Sequence, residues 1–395
     1  MMRNIYHYCL LIGDQTSLYN ELCKSLSFST HCNYLQVSIE ESFELSNHIH
    51  MNWMDINSFE TSHLPEDEAI FCICTLDNNI TLKRFESREE LENVIGSQRD
   101  VKTIFKSLES YSAPTKAQST QLLSSFCDAY IKDKKEVLLN LVKNSTPKYI
   151  ALDFLVDYIG DVNFIGGTLQ NKSDQISDVQ LLSEENHNLL HVSLAEQGMS
   201  PGVKNNTISL VLEYNQVKDS FDISPSLNIW QRHWVLYRAA GINIALILVQ
   251  NLLARKVKTR YFVNPNDIQY NAVLASAQYI HSVDTVYFDL DETLIWKGQA
   301  INDCRALLLD LKSREYNVKL ITRHTFPIPD TLKKIDLDET VFTEIIKVTL
   351  EQKKSSFISG NALFIDNEFP ERLDVRNNCE IPVLDLDQLE FCKFN

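Results

Sequence analysis

The chain contains little glycine. Only 10 of its 395 residues are glycine, against a usual share of roughly 7%. A dinucleotide-binding loop needs three closely spaced glycines, for its tight turn and for the close approach of a pyrophosphate. The segment LIGDQTSLYNEL, which includes the end of the first apolar run, supplies only Gly13. We therefore expect no working nucleotide loop at this position.

Other signatures are also missing. The formal net charge of −16 argues against a general nucleic-acid surface, which requires clustered lysine and arginine. The nine cysteines are scattered without a CxxC pair or zinc spacing, which is typical of a reducing compartment. The longest apolar stretch, GINIALILVQNLL, is shorter than the roughly 20 residues that a bilayer requires, and the N-terminus has no signal-peptide pattern. These absences predict a soluble, cytoplasmic protein without nucleic-acid or membrane partners.

Residues 1–100 alternate between strand-like and helix-like patterns. YHYCLLI (6–12), NYLQVSI and AIFCICTL (69–76) are apolar runs typical of buried strands, and SLYNELCKSL (17–26) has helical spacing. This order predicts a Rossmann-like domain that lacks a glycine-rich loop.

Residues 101–282 have a different pattern. An amphipathic helix is expected over 119–142, and the segments VNFIGGTLQN, DVQLLSEE, HNLLHVSLAEQ and NTISLVLEYN alternate apolar and polar residues. Such alternation predicts an open antiparallel sheet with one wet face. We expect a long helix from about Ile229 to Lys256 and a closing helix capped by Asn264 or Asn266. The segment is therefore predicted to be an α+β domain.

Residues 283–395 carry the chemical signal. TVYFDLDETL reads as a buried parallel strand that presents Asp289 and Asp291 at its carboxyl end, where open α/β sheets place their sites. Residues two apart on an extended chain point the same way. Two adjacent carboxylates repel each other, and a hard cation such as Mg²⁺ removes that penalty.

Further polar residues follow at or near strand ends. NVKLITRH ends in Thr322, LEQKKSSFI brings Lys353 and Lys354, and NALFIDNEFPERLDV is an apolar strand that ends in Asp366. A carboxylate pair, a hydroxyl, a lysine and a further carboxylate form an inventory suited to phosphoryl transfer.

This ordered set resembles the haloacid dehalogenase (HAD) superfamily over residues 283–393. The resemblance implies a Rossmannoid parallel sheet without a cap domain. It implies that Asp289 is a nucleophile, that Asp291 is a general acid and base, and that Thr322 and Lys354 contact phosphate, with Lys353 or Lys347 as alternatives. It also implies a Mg²⁺ site formed by Asp289, Asp366 and the backbone carbonyl of Asp291, with Asn367 in place of a second acid.

The preceding part of the chain has weaker resemblances. The order of elements in residues 1–280 is similar to the glucose–fructose oxidoreductase family, although the glycine loop and the Glu-Lys-Pro tripeptide of that family are absent. Alternatively, LVLEYNQ, with Glu213 and Asn215, resembles the metal-binding Glu-x-Asn of ATP-grasp proteins. The simpler interpretation of these two residues is a strand end and a turn.

Several residues beside the predicted site leave alternatives open. His324 contacts a substrate or is an exposed loop imidazole. Arg323 and Arg372 pair with a substrate anion or with Glu371 at the surface. Trp296 and Lys297, which follow the first motif, could shape the mouth of the site.

Together these features predict a Mg²⁺-dependent phosphohydrolase, a phosphoric monoester hydrolase that acts through an aspartyl-phosphate. We expect its substrate to be a phosphorylated small molecule, such as a sugar or an intermediate of polysaccharide or natural-product assembly. The body before residue 283 would bind substrate or cover the site, and a homo-oligomer is possible. The alternatives are a non-hydrolytic assembly protein with a HAD-like module and a bifunctional NAD(P) oxidoreductase–phosphatase.

Overall fold

A computed structural model describes most of the chain. The described residues are 7–13, 17–26, 32–38, 51–64, 66, 69–76, 79–96, 98–110, 116–143, 149–157, 160–170, 179–191, 206–227, 233–255, 259–271, 274 and 276–394. They form a mixed α/β protein with several sheets, as predicted. The first of two compact units comprises residues 1–238, 242–259 and 270–276, and the second comprises 239–241, 260–269 and 277–395. The three-domain division at residues 100 and 282 stays a prediction.

The first unit begins with a five-stranded sheet. Its strands are β1 (His7–Ile12), β2 (Cys32–Ser38), β3 (Met51–Asp55), β4 (Ile70–Leu76) and β5 (Asn79–Phe85). They lie in the order β3-β2-β1-β4-β5, and only β5 is antiparallel to its neighbour. The helices are α1 (Ser17–Leu26), α2 (Arg88–Ile95) and α3 (Val101–Ser110). The predicted elements β1, α1, β2 and β4 are confirmed, whereas β3 and β5 were not indicated by the sequence patterns.

The second sheet of this unit is antiparallel throughout. It contains β6 (Tyr149–Val156), β7 (Val162–Gln170), β8 (Val179–Leu181), β9 (Asn206–Asn215) and β10 (Ser220–Leu227), in the order β10-β9-β6-β7-β8. One face packs against α4 (Lys116–Lys143), as the amphipathic pattern predicted. The strand expected over HNLLHVSLAEQ is wrong where it is described, because its start lies in α5 (Glu184–Leu190), capped by Ser183. Residues 192–197 of that segment lie outside the described residues.

The long helix expected over residues 229–256 is interrupted. Its described part contains two short helices, α6 (Trp234–Ala239) and α7 (Ile244–Leu252). Between them Gly241 has a φ of +97°, a conformation that only glycine adopts without strain. Asn243 then starts α7 by accepting a hydrogen bond from the backbone N–H of Leu246. A glycine and an asparagine cap therefore end one helix and begin the next.

The closing helix predicted after Asn264 is also wrong. Asn264 does act as a cap, but of a 3₁₀ turn at Pro265–Asp267. The chain then forms the short strands β11 (Gln269–Asn271) and β12 (Ser276–His281). The buried residues of β12, Tyr279 and His281, are two positions apart, which is the spacing of one face of a strand and not of a helix.

The second unit is built around a parallel sheet. Its strands are β13 (Thr285–Phe288), β16 (Asn317–Thr322), β17 (Glu344–Lys347), β18 (Ala362–Ile365) and β19 (Val383–Leu384), in the order β17-β16-β13-β18-β19. A small hairpin of β14 (Ile295–Trp296) and β15 (Gln299–Ala300) follows β13. Helices α8 (Asn302–Ser313), α9 (Ile328–Lys333) and α10 (Phe369–Cys379) connect or cover the strands, and β20 (Cys392–Phe394) pairs with β12. All five carboxyl ends therefore meet at one edge.

Within the described parts of the chain, no helix has both the length and the hydropathy needed to cross a membrane.

Candidate functional site

Three buried charged side chains meet at the carboxyl edge of the parallel sheet. The ammonium group of Lys354 lies 2.7 Å from Oδ1 of Asp289 and 2.6 Å from Oδ2 of Asp366. Asp289, Lys354 and Asp366 are only 6%, 3% and 0% exposed. One lysine is thus shared by two carboxylates that have little contact with water.

Strand register brings the two aspartates together. Phe288 of β13 pairs with Ile365 of β18. Asp289 and Asp366, which directly follow these two strands, therefore lie beside each other. The backbone N–H of Asp289 donates to the carbonyl of Ile365 at 3.0 Å and extends this pairing by one residue. Lys354 reaches the same point because it begins a 3₁₀ turn, Lys354–Phe357, in the segment between β17 and β18. The structure thus brings Asp289, Lys354 and Asp366 together, and their predicted catalytic and metal-binding roles stay predictions.

The pKa shifts of these three residues show that one ammonium group does not fully balance two carboxylates. Burial raises the pKa of Asp289 to about 7, and the Asp366 carboxylate adds to the rise while Lys354 opposes it. Burial also raises the pKa of Asp366, again against Lys354. For Lys354 burial lowers the pKa, but the two carboxylates outweigh that effect and the net pKa is raised. The lysine therefore stays charged, whereas its ammonium group offsets only part of the effect of burial on each carboxylate.

Arg372 holds the backbone of Asp366 in place. Its Nη1 donates to the backbone carbonyl of Asp366 at 2.7 Å, and its Nη2 pairs with Asp385 at 2.7 Å. The guanidinium group lies over the ring of Phe262, 5.3 Å from its centroid. The surface pairing expected for Arg372 is wrong, because the residue is buried. Sequence patterns gave no sign of this role, since the fold alone brings Phe262 and Asp385 to Arg372.

The Asp291 carboxylate faces a different partner. Its two oxygens lie 2.8 and 3.0 Å from Nδ1 of His324, whose Nε2 lies 2.7 Å from the hydroxyl of Thr331. The exposed loop imidazole expected for His324 is wrong, because its side chain is only 9% exposed. Across the described residues, no three His, Cys, Asp or Glu side chains form a group that could hold a metal. The Mg²⁺ set that includes the backbone carbonyl of Asp291 stays a prediction.

The remaining predicted residues differ in how deeply they are buried. Thr322 ends β16 and is buried, and its hydroxyl oxygen accepts a hydrogen bond from the backbone N–H of His324 at 3.1 Å. Lys353 has a side chain that is 68% exposed and pairs with Asp374 at 2.7 Å. Lys347 is exposed at the end of β17. Of the three candidate lysines, the structure brings Lys354 to the carboxylates.

Asn367 has a structural reason to stand where a second acid was expected. Its Oδ1 accepts from the hydroxyl of Thr293 at 3.1 Å, and its backbone N–H donates to the same hydroxyl oxygen at 3.2 Å. Its Nδ2 donates to Glu292 at 3.3 Å. A carboxylate would lose that donor and face Glu292 with a like charge. The amide therefore secures the loop that carries Asp291.

The structure also places Arg323, Trp296 and Lys297, although a role of Trp296 and Lys297 at the mouth of the site stays a prediction. Arg323 forms an ion pair with Glu371, as predicted, and also donates to the backbone carbonyls of Thr349 and Gln352. Trp296 lies in the β14–β15 hairpin, and the turn of that hairpin consists of residues 297 and 298, both with positive φ. This hairpin directly follows the Asp291 loop.

Glu213 and Asn215, in the first unit, occupy a strand end and a turn. The hydroxyl of Tyr149 donates to Glu213 at 3.0 Å. The side-chain oxygen of Asn215 accepts from the backbone N–H groups of Val217 and Lys218 at 3.1 and 3.2 Å, at the end of β9. These contacts fit a strand end and a turn, and the metal-binding alternative stays a prediction.

Comparison with known proteins gives structural neighbours only. No family model and no curated protein matches the chain. A phosphoribosylaminoimidazole carboxylase ATPase subunit from Aquifex aeolicus is 10% identical, covers 64% of this chain and 77% of its own, and has a TM-score of 0.32. N5-carboxyaminoimidazole synthetase from Staphylococcus aureus, complexed with ADP, gives 10%, 64%, 78% and 0.33. The biotin carboxylase domain of a thermophilic 2-oxoglutarate carboxylase, bound to bicarbonate, gives 10%, 65%, 72% and 0.30.

These neighbours contradict the predicted families. They are ATP-grasp carboxylases and synthetases, not HAD phosphatases or glucose–fructose oxidoreductases, so both predicted memberships are wrong by this comparison. The predicted phosphoric monoester hydrolase with its aspartyl-phosphate is contradicted in the same way, and the assembly-protein and oxidoreductase–phosphatase alternatives are not supported either. Identities near 10% and TM-scores of 0.30 to 0.33 give no basis for assigning the neighbours' activities to this chain.

Proposed function

We propose that the Asp289–Lys354–Asp366 cluster binds a magnesium ion together with a small molecule that carries an oxyanion. One observation carries the proposal: a single buried ammonium group is shared by two buried carboxylates. With both carboxylates ionised, the cluster has one uncompensated negative charge in a place with little water.

The donor set suits Mg²⁺. An unpaired charge in a protein interior costs several kcal/mol even after relaxation (~3–5 when one partner of a pair is removed), so the cluster favours an additional cation. Mg²⁺ prefers carboxylate oxygens and is commonly held by one or two of them. Oδ1 of Asp289 and Oδ2 of Asp366 contact the same nitrogen atom of Lys354, which occupies the point where they meet. A Mg²⁺ ion would share the two carboxylates with that ammonium group, and its donors would be the oxygens that this ion prefers.

A bound Mg²⁺ would reverse the charge of the cluster. Two carboxylates, one ammonium and one divalent cation leave one net positive charge, where one net negative charge stood before. A ligand oxyanion then balances the site, since a bound cation is the largest local charge and sets the local electrostatics. Lys354 and Thr322 are donors that an oxyanion can use, and charge-assisted hydrogen bonds to Lys are about twice as strong as neutral ones.

The predicted catalytic residues keep a place in this proposal as ligand-facing groups. Asp289 and Asp366 hold the ion, Lys354 and Thr322 contact the oxyanion, and Asp291 lies at the more exposed side. When bound, Mg²⁺ would neutralise the carboxylates and polarise an oxygen atom of the ligand. The proposal concerns binding, and the reaction that follows is left to the identity of the ligand.

Calorimetric titration tests the proposal. MgCl₂ is titrated into the wild-type chain, Asp366→Asn and the matched control Asp374→Asn, and orthophosphate is then titrated with and without Mg²⁺. We expect Asp366→Asn to weaken Mg²⁺ binding at least about tenfold, because a charge-bearing ligand is lost. Asp374→Asn, which alters a carboxylate outside the cluster, should bind as the wild type does. Orthophosphate should bind only with Mg²⁺ present. Equal Mg²⁺ affinity of all three chains, or no binding to any, would refute the proposal.

A further inference from the structure

A second polar group lies beside the cluster and is not part of the proposed ion site. Asp291, His324 and Thr331 form a continuous line of side chains: the carboxylate contacts Nδ1, and Nε2 contacts the threonine hydroxyl. The backbone N–H of His324 also donates to Thr322, which fixes the start of the line next to the proposed oxyanion donor. The group therefore joins the mouth of the site to helix α9.

The exposure of the three side chains gives the line a direction. The side chain of Asp291 is 53% exposed, that of His324 is 9% exposed, and Thr331 is 4% exposed. A hydroxyl, an imidazole and a carboxylate in series also make up a nucleophilic triad, but a nucleophile must reach its substrate. Here the hydroxyl is the buried end. Thr331 is therefore an anchor, and the group that a ligand can reach is Asp291.

Hydrogen-bonding capacity fixes the orientation of the imidazole. An ionised carboxylate only accepts hydrogen bonds, so Nδ1 of His324 must donate to Asp291. The Thr331 hydroxyl can donate to Nε2 or accept from it, so its contact with the ring holds in either case. The ring of Phe326 lies 5.6 Å from the imidazole centroid. The contact with the carboxylate thus defines Nδ1 as the donor to Asp291.

We infer that His324 is a positioning residue, which holds the Asp291 carboxylate outward so that it accepts a hydrogen bond from the ligand. This inference rests on the proposed function above and narrows the ligand class. A carboxylate that only accepts, placed beside an oxyanion site, selects a small molecule in which a hydroxyl or amine lies close to the oxyanion. An oxyanion without such a donor gains nothing from Asp291 and meets its negative charge.

Two probes separate this selectivity from ion binding. Glycerol 3-phosphate carries both an oxyanion and hydroxyl groups, whereas the methyl phosphate dianion carries an oxyanion of the same charge and no hydrogen-bond donor. With Mg²⁺ present at about pH 8, where both monoesters are dianions, we expect the wild type to bind glycerol 3-phosphate about tenfold more tightly than methyl phosphate, as one hydrogen bond to a charged group would give. His324→Gln and Thr331→Val should remove that preference while leaving Mg²⁺ and methyl phosphate affinities within about twofold. Thr331→Ser, which retains the hydroxyl, should retain the preference.

A general packing defect would weaken every ligand and would not change the ratio between two of them. The ¹⁵N resonances of the His324 ring give a second readout: Thr331→Val should shift the Nε2 resonance, and Asp291→Asn should shift that of Nδ1. An unchanged preference in His324→Gln, or no preference in a wild type that binds Mg²⁺ and orthophosphate, overturns this inference alone. A wild type that binds neither Mg²⁺ nor orthophosphate overturns the proposed function and this inference with it.

Discussion

Replacement of Lys354 by methionine gives the sharpest test of the buried cluster. Methionine keeps much of the volume of the lysine stem but removes the ammonium group that contacts Asp289 and Asp366. Two buried carboxylates are then left without a cation. Breaking a buried ion pair by removing one partner costs about 3–5 kcal/mol, so we expect a loss of that size in the free energy of unfolding near pH 7.

The loss should depend on pH in a defined direction. Burial raises the pKa of Asp289 from its ordinary value of 3.8 to about 7. A carboxyl group whose folded pKa is raised contributes stability while protonated, and loses it as the pH rises from the unfolded pKa through the folded one. Without Lys354 both carboxyl pKa values should rise further, at about 1.4 kcal/mol per unit. The difference between variant and wild type should therefore be smaller at about pH 5 than at about pH 8.

Lys353→Met is the matched control. Lys353 lies next to Lys354 in sequence, but its side chain is 68% exposed and it pairs with Asp374 at the surface. Such pairs contribute about 0–1 kcal/mol. Because the chain has two compact units, unfolding in urea should be followed by hydrogen exchange of peptides from β13 and β18, with EDTA present. Equal losses in the two variants, or a loss in Lys354→Met that does not change with pH, would show that the cluster's charges do not stabilise the sheet edge.

Two predictions concern the antiparallel sheet of the first unit, where burial raises the pKa of Asp153 to about 6 and hydrogen bonds from Ser209 and Tyr237 oppose the rise. Tyr237→Phe removes a donor 2.6 Å from Asp153 and should cost about 1.5–3 kcal/mol at pH 7. It should cost less near pH 5, because the folded carboxyl group is then protonated; a loss independent of pH in thermal melts would contradict this. Gly166→Ala should cost about 1–3 kcal/mol, because its Cβ would lie 2.5 Å from the Tyr237 ring. Gly298→Ala, with nothing within 4 Å of its Cβ, should lose about 1–2 kcal/mol through its positive φ alone; no loss of stability in Gly166→Ala would contradict the packing argument.

Continuous apolar runs were the most informative sequence pattern. YHYCLLI, AIFCICTL and TVYF became β1, β4 and β13, because a strand buried on both faces has no polar alternation to misread. The same topology made the site predictable in outline: residues that follow parallel strands meet at one edge, and Asp289 and Asp366 do so. Local pattern and global topology agreed for these elements.

Prediction failed where a single backbone position decides between two structures. The apolar content of residues 229–256 suits one helix, but Gly241 and the cap at Asn243 divide its described part into two. HNLLHVSLAEQ alternates as a strand would, yet Ser183 and the acidic residues after it begin a helix. Caps act over three or four residues, so an average over a longer window conceals them.

Side-chain pairing in the candidate site was beyond the sequence for a different reason. Lys353 and Lys354 are adjacent and chemically identical, and no local pattern ranks one above the other. The 3₁₀ turn that starts at Lys354 turns that side chain into the sheet edge and leaves Lys353 at the surface with Asp374. Burial then gives the two lysines different functions: the ammonium of Lys354 compensates carboxylates where water cannot, whereas Lys353 pairs in solvent that already screens its charge. The property that makes Lys354 a candidate site residue therefore arises only when the chain folds.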